Sequence, residues 1–486
     1  MPKVYLEKRD CESYPVPDYY YCPSEFYPEY PFSQDTLSPE RNEVYDMVRS
    51  SLFGMGLDRD RYGTSAWNPL GDFVQKDARI MLKPNWVNHT NNIGGLDCTV
   101  THPSIIRCII DYCCIAGASE IIIGDAPIQD CNLESLLETN NYNRMFSFFQ
   151  LHNIMLSVLD FRVTHAQRLT RFPATYQQIR NSQQQTHKHL FFDLGTHSYH
   201  NSTNPAIYKI AVYHDEYLNL NHHDDTHVYS VYKLFFDMDL IINLPKPKTH
   251  RFAGLTGAQK NLVGVCPDKE FLPHYRRGTI KNGGDEADYL SVLGKINRKL
   301  HELAFYNMEK GVFWKQYVYK LISMMTMRLR VFDKHQKYDF GQWYGNDTIW
   351  RTILDINLIA MYGNPDGTID FNGKPRSILT VGDLIIAGER AGPLTPQPKP
   401  LGIILSSDNN ALFDYVFSKI AGSPVNCIPT VDYALKDSRI FINDSDTIVL
   451  NTNLEMLDGL KLEELSFPSA WTLRPSPYWD ELFEIK

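Results

Sequence analysis

The sequence predicts an α/β protein: a parallel or mixed sheet flanked by helices, with a helical insertion and a C-terminal α/β region. Three observations predict it. Short apolar runs break off into charged or amide residues at Lys83, Asp125 and Lys246. A helical stretch joins the first two runs at the spacing of a right-handed parallel crossover. The chain of 486 residues is long enough for two or three cores.

Residues 1–40 read as an extended arm dense in Tyr and Pro, since proline removes backbone donors and the aromatics argue against a free tail. Such an arm serves stability; a contact with another subunit or a biosynthetic partner is its second reading. An N-terminal α/β domain is expected over 41–280. Val44, Met47, Val48 and Leu52 stand at helical spacing. A strand over Ala78–Leu82 ends at Lys83-Pro84, a helix runs over His102–Ala116, and a strand over Ile121–Ile123 ends at Gly124-Asp125. Residues 165–230 form a polar, His-rich insertion, with a strand near Ala206–Tyr213. Asp239–Leu244 is a further buried strand. A helical insertion follows over 281–345, in which residues 289–333 place Lys and Arg between apolar positions. The C-terminal region, 346–486, holds a helix over Trp350–Met361, a strand over Gly402–Leu405 and a helix over Phe413–Ile420 closed by Gly422.

Charge and composition narrow the functions. A net charge of -9 and a pI of about 6.0 give no basic face, so no nucleic acid is expected. No apolar run is long enough to span a membrane, and Met1–Asp10 lacks a signal-peptide core, so the expected location is cytoplasmic. Nine cysteines without a C-x-x-C pair support neither a disulfide framework nor a cysteine metal site.

The residues that carry chemistry follow the strands. In open α/β sheets, ligands bind where the carboxyl ends of parallel strands converge. Lys83, Asn85, Asp125, Lys246, Lys248, His250 and Asp408 all sit in such positions. The densest stretch, Asn243–Gly264, adds Arg251, Thr256, Gly257, Lys260 and Asn261. Lysines offer point charges to phosphate or carboxylate, and glycines allow close backbone approach. The expected catalytic residues are His250, Asp125 and Lys260. Lys83, Asn85, Lys246, Lys248, Thr256, Gly257 and Asn261 are expected to bind an anionic substrate. Neither a P-loop nor a G-x-G-x-x-G fingerprint is present, and no cofactor is specified. Eight of the 16 histidines lie between His187 and His227, but in a stretch read as loop, and no metal site is expected there. Asp355 and Asn357 read as the polar face of their helix.

The motifs KPNWV (83–87), THP (101–103), IIIGDAP (121–127), NLPKPKTH (243–250), TGAQKNLVG (256–264) and GERAGPLTPQPKPLGIILSSDNNALFDYVFSKIAG (388–422) together resemble the domain-of-unknown-function family DUF362. The resemblance spans Asp77–Thr430. Some members carry ferredoxin-like cysteine motifs that this chain lacks. The longer members are associated with surface-polysaccharide gene clusters, which implies an enzyme on a sugar phosphate, nucleotide sugar or sugar acid. A non-catalytic scaffold in a biosynthetic complex is the alternative. The order His250, Gly257, Lys260, Gly264, His274 is also similar to lactate racemases, whose lysine holds a nickel-pincer cofactor; Lys260 and His274 match those positions. The racemases' histidine after the second strand is missing at Gly124–Pro127, as is their proline-glycine, since Val263 precedes Gly264.

Overall fold

A computed structural model describes residues 2–181, 188–210, 216–286, 292–329, 340–441 and 447–484. Its centre is one large sheet. The strands are β1 (Val4–Lys8), β2 (Arg79–Pro84), β3 (Glu120–Asp125), β4 (Leu156–Asp160), β5 (Leu240–Leu244), β6 (Lys248–His250), β7 (Gly254–Thr256), β8 (Ile378–Ala391), β9 (Thr395–Ser407) and β10 (Asn451–Thr452). Their order is β10-β1-β9-β8-β5-β2-β3-β4, with β6 and β7 beside β8. Strands β8, β5, β2, β3 and β4 are mutually parallel. Strand β9 runs antiparallel to both β8 and β1.

Apolar side chains alternate between two cores, one on each face. Ile80, Leu82, Ile121, Ile123, Leu240 and Ile242 enter one core; Met81, Ile122 and Ile241 enter the other. Burial on both faces explains why these strands read as unbroken apolar runs. Helices α1 (Glu43–Gly54) and α2 (Pro103–Ile115) cover the first face. The short α3 (Ala258–Asn261) follows β7. Two longer helices, α4 (Val292–Glu309) and α5 (Phe313–Leu329), form a hairpin, and α6 (Ile349–Tyr362) and α7 (Asn410–Ile420) cover the second face.

Several expectations change. Strand β2 runs on through Pro84, paired with Leu244. The charged N-terminus is not all arm: β1 lies between β9 and β10, where Val4 and Leu6 are fully buried. The proline-rich stretch after Thr395 is strand. Pro396, Pro398 and Pro400 alternate along β9 opposite β8, while β1 pairs only with Ile403–Ser407, so the missing N–H groups fall on an edge to which no described strand pairs. The arm over 11–40 makes 3-10 turns and packs on its own body, burying Tyr21, Cys22 and Tyr30.

Residues 165–230 hold a hairpin (Thr164–Arg171 with Ala174–Arg180) and a pair, His189–Asp193 with Thr226–Tyr232, rather than plain loop. Of the strand expected over Ala206–Tyr213, Tyr208–Lys209 forms, and 211–213 lie outside the described residues. So do His187 and His214, and 289–291 and 330–333 of the helical insertion. Asp355 and Asn357 are buried, not solvated: Asp355 accepts from Tyr199 N (2.8 Å) and the Tyr229 hydroxyl (2.8 Å).

Candidate active site

The chain runs from β2 to β3 and β4 in one direction, then returns to β5 on the other side of β2. Sheets of this kind open a crevice at that reversal, beyond the carboxyl ends of the strands. A cavity of about 380 Å³ lies there. Asn85 after β2, Asp125 at the end of β3, and Lys248, His250, Thr256, Lys260 and Asn261 from the 243–264 segment line it.

Lys83 stands just behind this wall. Its Nζ meets Asp125 Oδ1 at 2.8 Å and donates to the Pro84 carbonyl at 2.7 Å. Burial pulls the Lys83 pKa down and Asp125 opposes that pull. Asp125 also accepts from Trp86 N (2.7 Å) and Ala126 N (2.8 Å), so its carboxylate is fully engaged. Gly264 packs over the pair: a Cβ there would lie 1.9 Å from Asp125 Oδ1 and 2.6 Å from Lys83 Nζ.

A head-to-tail run of amides holds the wall. Lys248 Nζ donates to Asn85 Oδ1 (2.7 Å) and to the Thr99 carbonyl (2.5 Å). Asn85 donates to Asn261 (2.9 Å), Asn261 to Asn243 (2.8 Å), and Asn243 to Asn410 (3.2 Å). Each amide both accepts and donates, so the run fixes every rotamer along it. Gly257 is not in the cavity wall. It lets α3 approach Asp414, whose carboxylate accepts from Ala258 N (2.6 Å) and Gln259 N (3.1 Å); a Cβ at 257 would meet it at 1.9 Å. Burial raises the Asp414 pKa to about 7.

Positive charge exceeds negative around the cavity. Lys248, Arg251, Lys260, Lys269 and Lys320 line it, against Asp125 and the exposed Asp130. Burial, reinforced by Lys246, lowers Lys248 to about 7. Burial, reinforced by Lys269, lowers Lys260 to about 8, and burial lowers Lys269 to about 8 against the opposing pull of Cys266 and Asp125. Lys269 donates to the Val263 carbonyl at 3.2 Å. Among the described residues nothing offers Lys260 Nζ a hydrogen bond or ion pair.

Two histidines in the wall are held as opposite tautomers. His250 Nδ1 accepts from Phe252 N (3.0 Å) and Ala253 N (3.1 Å), so its neutral ring carries hydrogen on Nε2. Burial, then Lys260, hold its pKa well below the ordinary value. His274 is the reverse: Nδ1 donates to the Leu272 carbonyl at 2.7 Å, leaving a lone pair on Nε2, and burial lowers its pKa to about 4. The local geometry therefore suits the neutral His250 to donate a hydrogen bond from Nε2.

Two other expected residues lie elsewhere. Lys246 is fully buried against Asp383 (3.0 Å) and Tyr14 of the arm (2.5 Å), outside the cavity. Asp408 accepts from Lys3 N (2.6 Å) at the far strands. Sequence reasoning missed Lys269, just beyond the 243–264 stretch, and Tyr176 and Lys320, which come from distant segments. His200, His222 and His227 pack together in the interior, with His222 Nδ1 3.4 Å from His227 Nδ1. Among the described residues no group of three or more ligating side chains is set to hold a metal ion.

The family model described as "Domain of unknown function (DUF362)" matches residues 80–177 and 174–419. The chain belongs to this family. The matched span of this DUF362 protein includes every strand that lines the cavity. A solved structure from Thermotoga maritima is similar over 74% of this chain and 54% of its own, at 9% identity and a TM-score of 0.31. The chain thus spans about half the length of that structure. No curated protein matches.

Proposed function

We propose that this DUF362 protein is an enzyme acting on a small anion, such as a sugar phosphate, nucleotide sugar or sugar acid. The observation that carries the reading is the lysine-rich cavity at the chain-reversal point of the sheet, in which Lys260 has no hydrogen-bond or ion-pair partner among the described residues. Lys260, Lys248 and Lys269 bind the anionic group. His274 Nε2 is the base and the His250 Nε2–H donates to an oxygen that gains charge. Asp125 positions Lys83 and the two strand ends rather than touching substrate. A scaffold has no use for complementary imidazoles in a cavity, and this favours the enzyme.

Turnover of a panel of phosphate- and carboxylate-bearing sugars tests it. His274→Gln lowers kcat by about 10²-fold or more with little change in KM, the usual worth of a general base, while Lys260→Ala acts mainly on KM. Full activity in His274→Gln would sink the assignment.

A second reading rests on His250, Lys260 and His274 lining one cavity, the order shared with lactate racemases. Lys260 would hold the racemase cofactor covalently and His274 would face its metal. Intact mass of protein from the native host decides: an adduct on Lys260 supports this reading, and an unmodified chain removes it.

A further inference from the structure

Helix α5 is built inside out. Its inward face is polar: Gln316 and Ser323 are buried, with Gln316 Oε1 accepting from Tyr176 N (2.9 Å) and Ser323 Oγ donating to Asn297 Oδ1 (2.7 Å). Its outward face is apolar. Trp314, Val318, Leu321, Met325 and Leu329 recur at spacings of three and four, one stripe of the helix, and all are exposed; Trp314 is 67% exposed and Met325 62%. A soluble surface helix has the reverse pattern, and exposing such a stripe to water costs about 25 cal/mol per Å². Among the described residues 25 large apolar side chains are exposed, and 11 of them belong to the α4–α5 hairpin. The patch is local to this hairpin rather than a general property of the surface.

Charge says what covers it. Residues 292–329 hold seven Lys or Arg and two Glu, in a chain with 48 basic and 57 acidic residues overall. The hairpin is therefore a cationic, apolar projection on an acidic protein. Exposed Lys315 and Arg328 flank the stripe, and exposed Tyr306, Trp314 and Tyr317 put amphipathic rings beside them. Basic residues alongside an apolar face bearing Trp and Tyr are the pattern of helices that lie in the headgroup region of anionic bilayers. No helix among the described residues is long and apolar enough to cross a membrane, so the contact is with one leaflet only.

We propose that the α4–α5 hairpin docks this protein on an anionic lipid surface, with α5 lying in the interface. The same hairpin contributes Phe305, Met308 and Lys320 to the cavity wall, so docking brings the cavity beside the headgroups.

Cosedimentation of the full chain with vesicles tests it. The protein binds phosphatidylcholine vesicles containing phosphatidylglycerol and binds pure phosphatidylcholine, or either in high salt, several-fold less. L321E/M325E changes two exposed side chains, keeps the melting temperature and loses vesicle binding several-fold; Trp314→Ser weakens it. Absence of binding to the anionic vesicles would overturn the proposal. So would a dimer that L321E/M325E dissociates without any vesicle binding, because the face would then belong to a second copy.

Discussion

Lys83 and Asp125 show how much a single buried pair carries here. Lys83 is fully buried and Asp125 nearly so, and Asp125 also holds the backbone at Trp86 and Ala126. Lys83→Met leaves Asp125 buried without its cation and costs about 3–5 kcal/mol. Lys83→Met with Asp125→Asn removes both charges and recovers part of that loss. Chemical denaturation of the single and double variants checks the ordering; equal losses would remove the pair from the account. Gly264→Ala drives a methyl group into the same pair and lowers stability by about 1–3 kcal/mol, visible as a lower denaturation midpoint. Asn85, Asp125 and Lys248 were legible in the sequence because each stands at, or within a few residues of, the end of an apolar run. Lys246 has the same local signature as Lys248, and only its partners separate them. One of those, Tyr14, lies 232 positions away, which no local spacing encodes.

At the scale of elements, α3 is too short to stand alone, and its first turn is held from outside. Asp414 of α7 accepts both of its leading N–H groups. Asp414→Ala leaves those donors buried and unpaired, at a cost of about 2–4 kcal/mol. Because Lys260 rides on that turn, the variant also loses stabilisation by added phosphate. Thermal unfolding with and without phosphate reads both effects, and a variant that keeps the full phosphate response would separate the turn from the site. Sequence periodicity found the strands and long helices because burial on one or two faces writes a period of two, a solid run or 3.6 into the residues. It missed β1, whose Glu7 and Lys8 interrupt the pattern, and the proline-bearing half of β9, whose edge position excuses the missing donors. It also read the histidine stretch as loop, although histidine and tyrosine have apolar bodies that bury well once their nitrogens and hydroxyls find partners.

For the whole molecule, one sheet with a core on each face brings together strand ends distant in sequence, and the reversal between β2 and β5 decides where the cavity lies. That placement followed from the order of strands and loops. Which lysine stays unpartnered, and which histidine nitrogen is free, followed only from three-dimensional neighbours. We propose that the cavity binds anions through lysines held near their titration points. Lysines at about 7 and about 8 are charged below those values and neutral above. Sulfate stays a dianion throughout, so its affinity reports the lysines and must fall as pH rises through that window.

The most direct measurement is calorimetric titration of sulfate into the full chain on both sides of that window, with wild type and Lys260→Ala. The account predicts binding on the acidic side, weakened about tenfold or more on the basic side, as losing a charged hydrogen bond of about 1.5–3 kcal/mol requires, and similarly weakened by Lys260→Ala. Absence of sulfate binding, or binding indifferent to both pH and Lys260, would contradict it.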